Sequence, residues 1–188
     1  PENPILTPGV LPWESNQTFN PAAFFDGRVV HLLYRALGAD GISRFGYAAT
    51  RDGVTIAERS PLPVFIHVRA AIPDAGRYGT ALAYSSGGGW AGCEDPRLTR
   101  IGDTVYLIYA AFDGWDSLRM TLSSIPLRDF VSHRWLWRVP VPISPPGEIH
   151  KNWVLFPEKL HGKFAVLHSF YPKIIIDYFD DLDELDGS

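Results

Sequence analysis

The chain has 188 residues, of which 46% are hydrophobic and 20% charged, and its net charge is -4 at pH 7. That length suffices for one domain with a sizeable core, and the mild, scattered charge gives no electrostatic case for nucleic acid or an acidic membrane surface as partner. Cys93 is the only cysteine, which excludes an intrachain disulfide and a cysteine zinc site; with no leader-like or membrane-length apolar stretch in view, a cytoplasmic location is expected.

Apolar residues recur with period two or in short continuous runs, and helical periodicity is scarce. In chain order the pattern predicts strands over 22–25, 29–35, 43–50, 81–85, 97–101, 104–110, 118–124, 154–159, 164–168 and 174–178. Asp26-Gly27, Gly102-Asp103 and His161-Gly162 supply tight turns between neighbours. The stretch from Ser85 to Trp90, rich in glycine, reads as a flexible loop or as backbone passing close to something bulky.

Three segments lie over one another, starting at Phe19-Asn20-Pro21, Glu94-Asp95-Pro96 and Leu155-Phe156-Pro157. In each, a Pro precedes a strand, a glycine turn and a strongly apolar strand. A sheet of about four antiparallel strands cannot bury both faces alone, and radial stacking of such sheets solves this as a β-propeller. A β-sandwich is the rival architecture, and the repeat argues against it. The expected fold is therefore all-β, a single β-propeller domain over 1–188. Closed propellers have about four to eight blades; with about three repeats here, the ring is expected to be incomplete at the C-terminal end.

Propeller geometry makes the residues before each repeat Pro converge on one channel mouth. Asn20 and Asp95 are equivalent in this sense, and Glu94 and Arg97, which flank Asp95, are substrate-binding candidates with them. Proline restricts its predecessor to extended geometry and fixes its own φ, so a polar side chain there is held on stiff backbone. That suits a catalytic acid at Asp95; a polar capped turn is the plainer reading. Arg35, ending an apolar strand, is either a solvated strand end or an anchor for a sugar hydroxyl or carboxylate. Lys151 and Lys159 suit an anion as point charges or are surface lysines, and His168 is a candidate beside them or a core histidine. Trp90, Trp115 and Trp153 suit sugar stacking as well as packing. Cys93, beside two carboxylates, is a poor nucleophile. G-x-S-x-G, P-loop, G-x-G-x-x-G and H-E-x-x-H patterns are absent, and no metal site is expected.

The stretches FNPAAFFDGRVVHLLYR, GCEDPRLTRIGDTVYLIYAAFDG and HKNWVLFPEKLHGKFAVLHS resemble glycoside hydrolase family 130, the β-mannoside phosphorylases and related mannosidases. The resemblance implies a five-bladed propeller and an inverting phosphorolysis that yields α-mannose 1-phosphate. It implies Asp95 as general acid, delivering its proton through a sugar hydroxyl, with Asn20 and Arg35 on the mannosyl residue at the cleavage point. Lys151, Lys159 and His168 match the basic residues that help bind phosphate. No cofactor is implied; inorganic phosphate is the co-substrate, the partner is a β-mannoside oligosaccharide, and a homo-oligomer is left open. Phosphate arrives anionic and needs no base. An inverting β-mannosidase needs a second carboxylate about 6.5–9.5 Å from the first, for which Glu148 is the candidate. Ser169 departs from the family pattern, which has Arg after Leu-His. A non-catalytic sugar-binding propeller is the reading from another class.

Overall fold

The computed structural model describes residues 3–67, 89, 91–112, 118–169 and 173–185. The described strands form three successive meanders. The first contains β1 (Gln17–Phe25), β2 (Val30–Leu37), β3 (Ile42–Thr50) and β4 (Ile56–Arg59), each antiparallel to the one before. The second contains β5 (Ala91–Ile101), β6 (Thr104–Phe112), β7 (Leu118–Pro126) and β8 (Val141–Pro142), paired likewise. In the third, β10 (Phe164–Ser169) lies between β9 (Val154–Leu155) and β11 (Ile175–Phe179). The all-β class expected from sequence is the class observed.

A short parallel pairing stitches the first two meanders together, Ile42 opposite Ala91 and Ser43 opposite Gly92. Gly92 sits at φ 109, and a Cβ there would collide with the Ser43 carbonyl. Only glycine permits that approach.

The meanders stack face to face, which explains why β6 is apolar on both sides. Val105, Leu107, Tyr109 and Ala111 pack toward Leu33, Phe45, Tyr47 and Ala49 of the first meander. The alternate residues Ile108 and Ala110 pack with Trp153, Leu155 and Val166 of the third. A strand with two buried faces loses the hydrophobic-polar alternation of a half-exposed one. The outer face of the first meander, with Leu32, Tyr34, Ala36 and Ala48, is met by Leu6 and Trp13 of the N-terminal segment.

Four features differ from the sequence expectations. β1 and β5 begin at Gln17 and Ala91, well before the expected 22 and 97, because the Asn-Pro and Asp-Pro steps lie inside the strands. The expected strand 154–159 pairs only over Val154–Leu155. β4 and β8 were not anticipated. A one-turn helix, α1 (Leu127–Val131), follows β7 where no helix was expected; five residues are too few to show a helical period. The predicted strand 81–85, Trp90 and Trp115 lie outside the described residues, as does the Ser85–Trp90 stretch apart from Gly89.

Candidate active site

The site is built on two β-bulges. In β1, Phe19 pairs with Arg35 and Ala22 with Leu33, so Asn20 and Pro21 together oppose Tyr34. In β5, Glu94 pairs with Ala110 and Arg97 with Ile108, so Asp95 and Pro96 oppose Tyr109. Proline has no N–H to give to a ladder, and an extra residue kinks the strand and re-aims a side chain. Asn20 (φ 47) and Asp95 (φ 50) both take the left-handed conformation, which Asn and Asp tolerate better than other non-glycine residues. They are not held in extended geometry, as the rule for residues before proline would suggest; the bulge overrides it.

The third repeat follows the same device in a different register. Asn152 has φ 64, and Val154 pairs with Leu167. Lys151-Asn152-Trp153 therefore stands where Glu94-Asp95-Pro96 stands in the second meander. The alignment on Pro157 was shifted, because Trp153 has taken the place of the repeat proline.

These bulges bring charge together from three meanders. Asn20 Nδ2 donates to Asp95 Oδ1 at 2.6 Å, and Arg35 Nη1 lies 3.9 Å from the same oxygen. Arg35 Nη2 donates to Glu94 Oε1 at 2.9 Å and its Nε to Ser43 Oγ at 2.9 Å, while its guanidinium lies 4.6 Å above the Phe19 ring. Lys151 Nζ reaches Glu94 Oε2 at 3.6 Å, an ion-pair distance slightly long for a hydrogen bond. Arg97 Nη2 donates to Asn152 Oδ1 at 3.4 Å.

The two carboxylates differ in surroundings. The Glu94 side chain is fully buried and that of Asp95 is 19% exposed. Burial pushes the Glu94 carboxyl above its ordinary value, against the pull of Arg35 and Lys151. Asp95 instead faces accessible space, with Asn20 exposed beside it. Cys93 is buried, and that burial, more than the neighbouring carboxylates, raises its thiol to about 12; it is inert as expected.

Thus Asn20, Arg35, Glu94, Asp95, Arg97 and Lys151 converge. Lys159 does not join them by strand placement: it is exposed in the β9–β10 connection, its Nζ 4.2 Å over the Phe164 ring. His168 is on β10, its Nε2 2.9 Å from Asp177 Oδ2 and its ring 5.1 Å from Trp153. A cavity of about 270 Å³ adjoins it, lined among others by His150, Trp153, His168 and Asp177. Trp153 itself is buried at 6% exposure in the core between the second and third meanders. Glu148 is largely exposed and bound to His150 at 2.9 Å. Asn152 and Ser43 were missed in the sequence; the polar residue before a large ring, rather than the proline itself, was the usable sign for Asn152. Among the described residues no His, Cys, Asp or Glu group is arranged to hold a metal, and no helix is long and apolar enough to cross a membrane.

The family pattern described as β-1,4-mannooligosaccharide phosphorylase matches residues 9–181. The chain belongs to glycoside hydrolase family 130. Among family 130 relatives, a 1,2-β-oligomannan phosphorylase of Thermoanaerobacter is 31% identical over 96% of this chain and 56% of its own length. A β-1,2-mannobiose phosphorylase of the same organism is also 31% identical, over 92% and 54%. The chain thus spans about half the length of the curated relatives it matches. Among solved structures, a putative glycoside hydrolase of Bacteroides ovatus superposes with a TM-score of 0.70 at 22% identity, over 96% of this chain and 55% of that one. The Listeria innocua β-1,2-mannobiose phosphorylase, in complex with β-1,2-mannobiose, gives 0.64 at 20%, over 96% and 62%. These two likenesses establish shared fold.

Proposed function

We propose that this chain carries the mannosyl-binding and acid-donating part of an inverting β-mannoside phosphorylase, built as a five-bladed propeller of which about three blades are present here. The observation that carries the reading is the Asp95 carboxyl, bonded to Asn20 and flanked by Arg35 where the first two meanders meet, in a chain of this family.

Asp95 is the general acid. Asn20 occupies Oδ1, so the transferable proton belongs on Oδ2, from which it passes through a sugar hydroxyl to the glycosidic oxygen. Asn20, Arg35 and Arg97 orient the mannosyl residue at the cleavage point. Phosphate attacks the anomeric carbon from the opposite face; the C–O bond to the leaving sugar breaks as the new C–O bond to phosphate forms, inverting the centre. Lys151, which reaches Glu94 in the cluster, supplies positive charge for phosphate; Lys159 and His168 stand outside the cluster and are not assigned there. Glu94, expected to bind substrate, is instead a positioning residue: its side chain is fully buried between Arg35 and Lys151, and it holds both cations in place. Phosphate, already anionic, replaces the base a hydrolase requires.

The test is incubation of the full-length protein with β-1,2- and β-1,4-mannobiose, each with and without phosphate. Mannose 1-phosphate formed only with phosphate is the expected result, and the productive disaccharide gives the linkage. Equal free mannose with and without phosphate would instead make the protein a hydrolase, and binding without turnover a sugar-binding module.

A further inference from the structure

β1 lies at the end of its sheet, paired with β2 alone among the described residues, and Ala22 is its one buried residue. Its own side chains therefore do little to fix the path of the first bulge, yet Asn20 meets Asp95 at 2.6 Å. Tyr34 is the β2 residue opposite that bulge, and it is fully buried. Its ring lies against Gly46 of β3, where a Cβ would collide with it, and it stacks on Trp13 at 6.4 Å.

The polar tip of the ring closes a cycle of three hydrogen bonds. The Tyr34 hydroxyl donates to Glu14 Oε2 at 2.7 Å, and Arg59 Nε donates to the Tyr34 oxygen at 3.1 Å. Arg59 Nη2 donates to the same Glu14 oxygen at 2.7 Å. Glu14 is 2% exposed, and a carboxylate so buried is costly unless it is paired and hydrogen-bonded. The three residues come from the segment before β1, from β2 and from β4. Glu14 also stands six residues before Asn20. Between them, Asn16 donates its backbone N–H to the Leu37 carbonyl at 3.0 Å and its side-chain amide to the Gly38 carbonyl at 3.2 Å. The cycle therefore grips the first bulge twice, through the residue opposite it and through the chain that leads into it. Tyr109, opposite the second bulge, is also fully buried, its hydroxyl 2.8 Å from His67 Nδ1. β5, however, is paired on both sides, with β3 and β6. The charged anchor serves the edge strand.

We propose that Glu14 is a positioning residue: through Tyr34 and Arg59 it sets the first bulge so that the Asn20 amide meets the Asp95 carboxyl. The anchor lies on the outer face of the first meander, with Leu6 and Trp13, so it acts through other residues. Its catalytic consequence rests on the assignment of Asp95 as the acid. The Asn20 amide occupies Oδ1 and leaves Oδ2 to carry the proton, so a displaced Asn20 misdirects that proton. A misplacement of about 1 Å, even from a change far from the chemistry, can cost ~10²-fold in rate.

The test compares Glu14→Ala, Glu14→Gln and Tyr34→Phe in the full-length protein. Glu14→Ala removes the shared acceptor, and Glu14→Gln keeps an oxygen for both donors. Tyr34→Phe keeps the ring and breaks two of the three bonds. Nitrogen-15 NMR of the Asn20 side chain reads the setting of the amide. Its two N–H signals are expected to move toward free-amide values in Glu14→Ala and Tyr34→Phe, and to stay native in Glu14→Gln. Phosphorolysis of β-mannobiose should fall about five- to tenfold in the first two. The same changes made in Asn20→Gly should cost less than about twofold, since the effect passes through that amide. A merely structural role would lower both backgrounds alike. Unmoved Asn20 signals in folded Glu14→Ala, or in Tyr34→Phe where Glu14→Ala does not fold, would overturn the proposal. Equal activity losses in the native and Asn20→Gly backgrounds would overturn it as well. Moved signals in a protein with no phosphorolysis to lose would sustain the clamp and count against the catalytic reading instead.

Discussion

The bulge in β1 and the bulge in β5 share a backbone and differ in chemistry. Both set two residues against one tyrosine, both hold the first of the pair in the left-handed region, and both place proline second. Yet the first presents an exposed amide after a phenylalanine, and the second a carboxyl after a buried glutamate. The third, Lys151-Asn152-Trp153, keeps the turn and the asparagine of the first but changes the residues on either side of it. The repeat thus supplies an aiming device, and the residue mounted on it decides the task. The bulges also depend on each other: the amide of one binds the acid of the other at 2.6 Å.

The comparison is broken most sharply by Asp95→Asn, which gives the second bulge the side chain of the first. Backbone and packing are unchanged, so the circular dichroism spectrum and Tm should stay close to those of the parent. Phosphorolysis should fall about 10²–10⁴-fold, the contribution of a positioned acid. Activity within a few-fold of the parent would remove Asp95 from that role.

Glu94→Ala tests the residue before the bulge. It leaves Arg35 buried, at 3% side-chain exposure, without its 2.9 Å partner. Breaking such a pair costs about 3–5 kcal/mol, to be read by denaturant unfolding. A change below 1 kcal/mol would mean that Ser43 and Asp95 suffice to hold the guanidinium.

The smallest effect separates backbone from side chain at the first bulge. Asn20→Gly keeps the left-handed conformation without strain, whereas Asn20→Ala adds about 1 kcal/mol of backbone cost. Both remove the hydrogen bond to Asp95. Equal losses of activity in the two variants, with lower stability only in Asn20→Ala, would assign the amide to the site and the conformation to the fold. Equal stability would show that the left-handed position carries no strain.

Much of this was legible in the chain. Strand-rich composition, glycine turns and a repeated Asn-Pro or Asp-Pro step pointed to stacked meanders and to Asn20, Asp95 and Arg35 as neighbours. The turn at Asp26-Gly27 was visible for the same reason: local turn chemistry is written in adjacent residues. β4 and α1 were not visible, being too short for periodicity. Lys159 was read as a strand residue because the third repeat was aligned on its proline, while the bulge that mattered had Trp153 in that place. Glu14, Tyr34 and Arg59 carry no shared motif and come from separate elements.

By itself, then, the sequence determined the all-β class, the repeating hairpin and the family, since these rest on local conformational preference and on residues adjacent in the chain. Only the tertiary structure decided which carboxylate is sealed between Arg35 and Lys151 and which opens to accessible space, and that Tyr34 and Arg59 share the Glu14 carboxylate. Burial and hydrogen-bond partnership are properties of surfaces brought together from distant strands, and no local pattern encodes them.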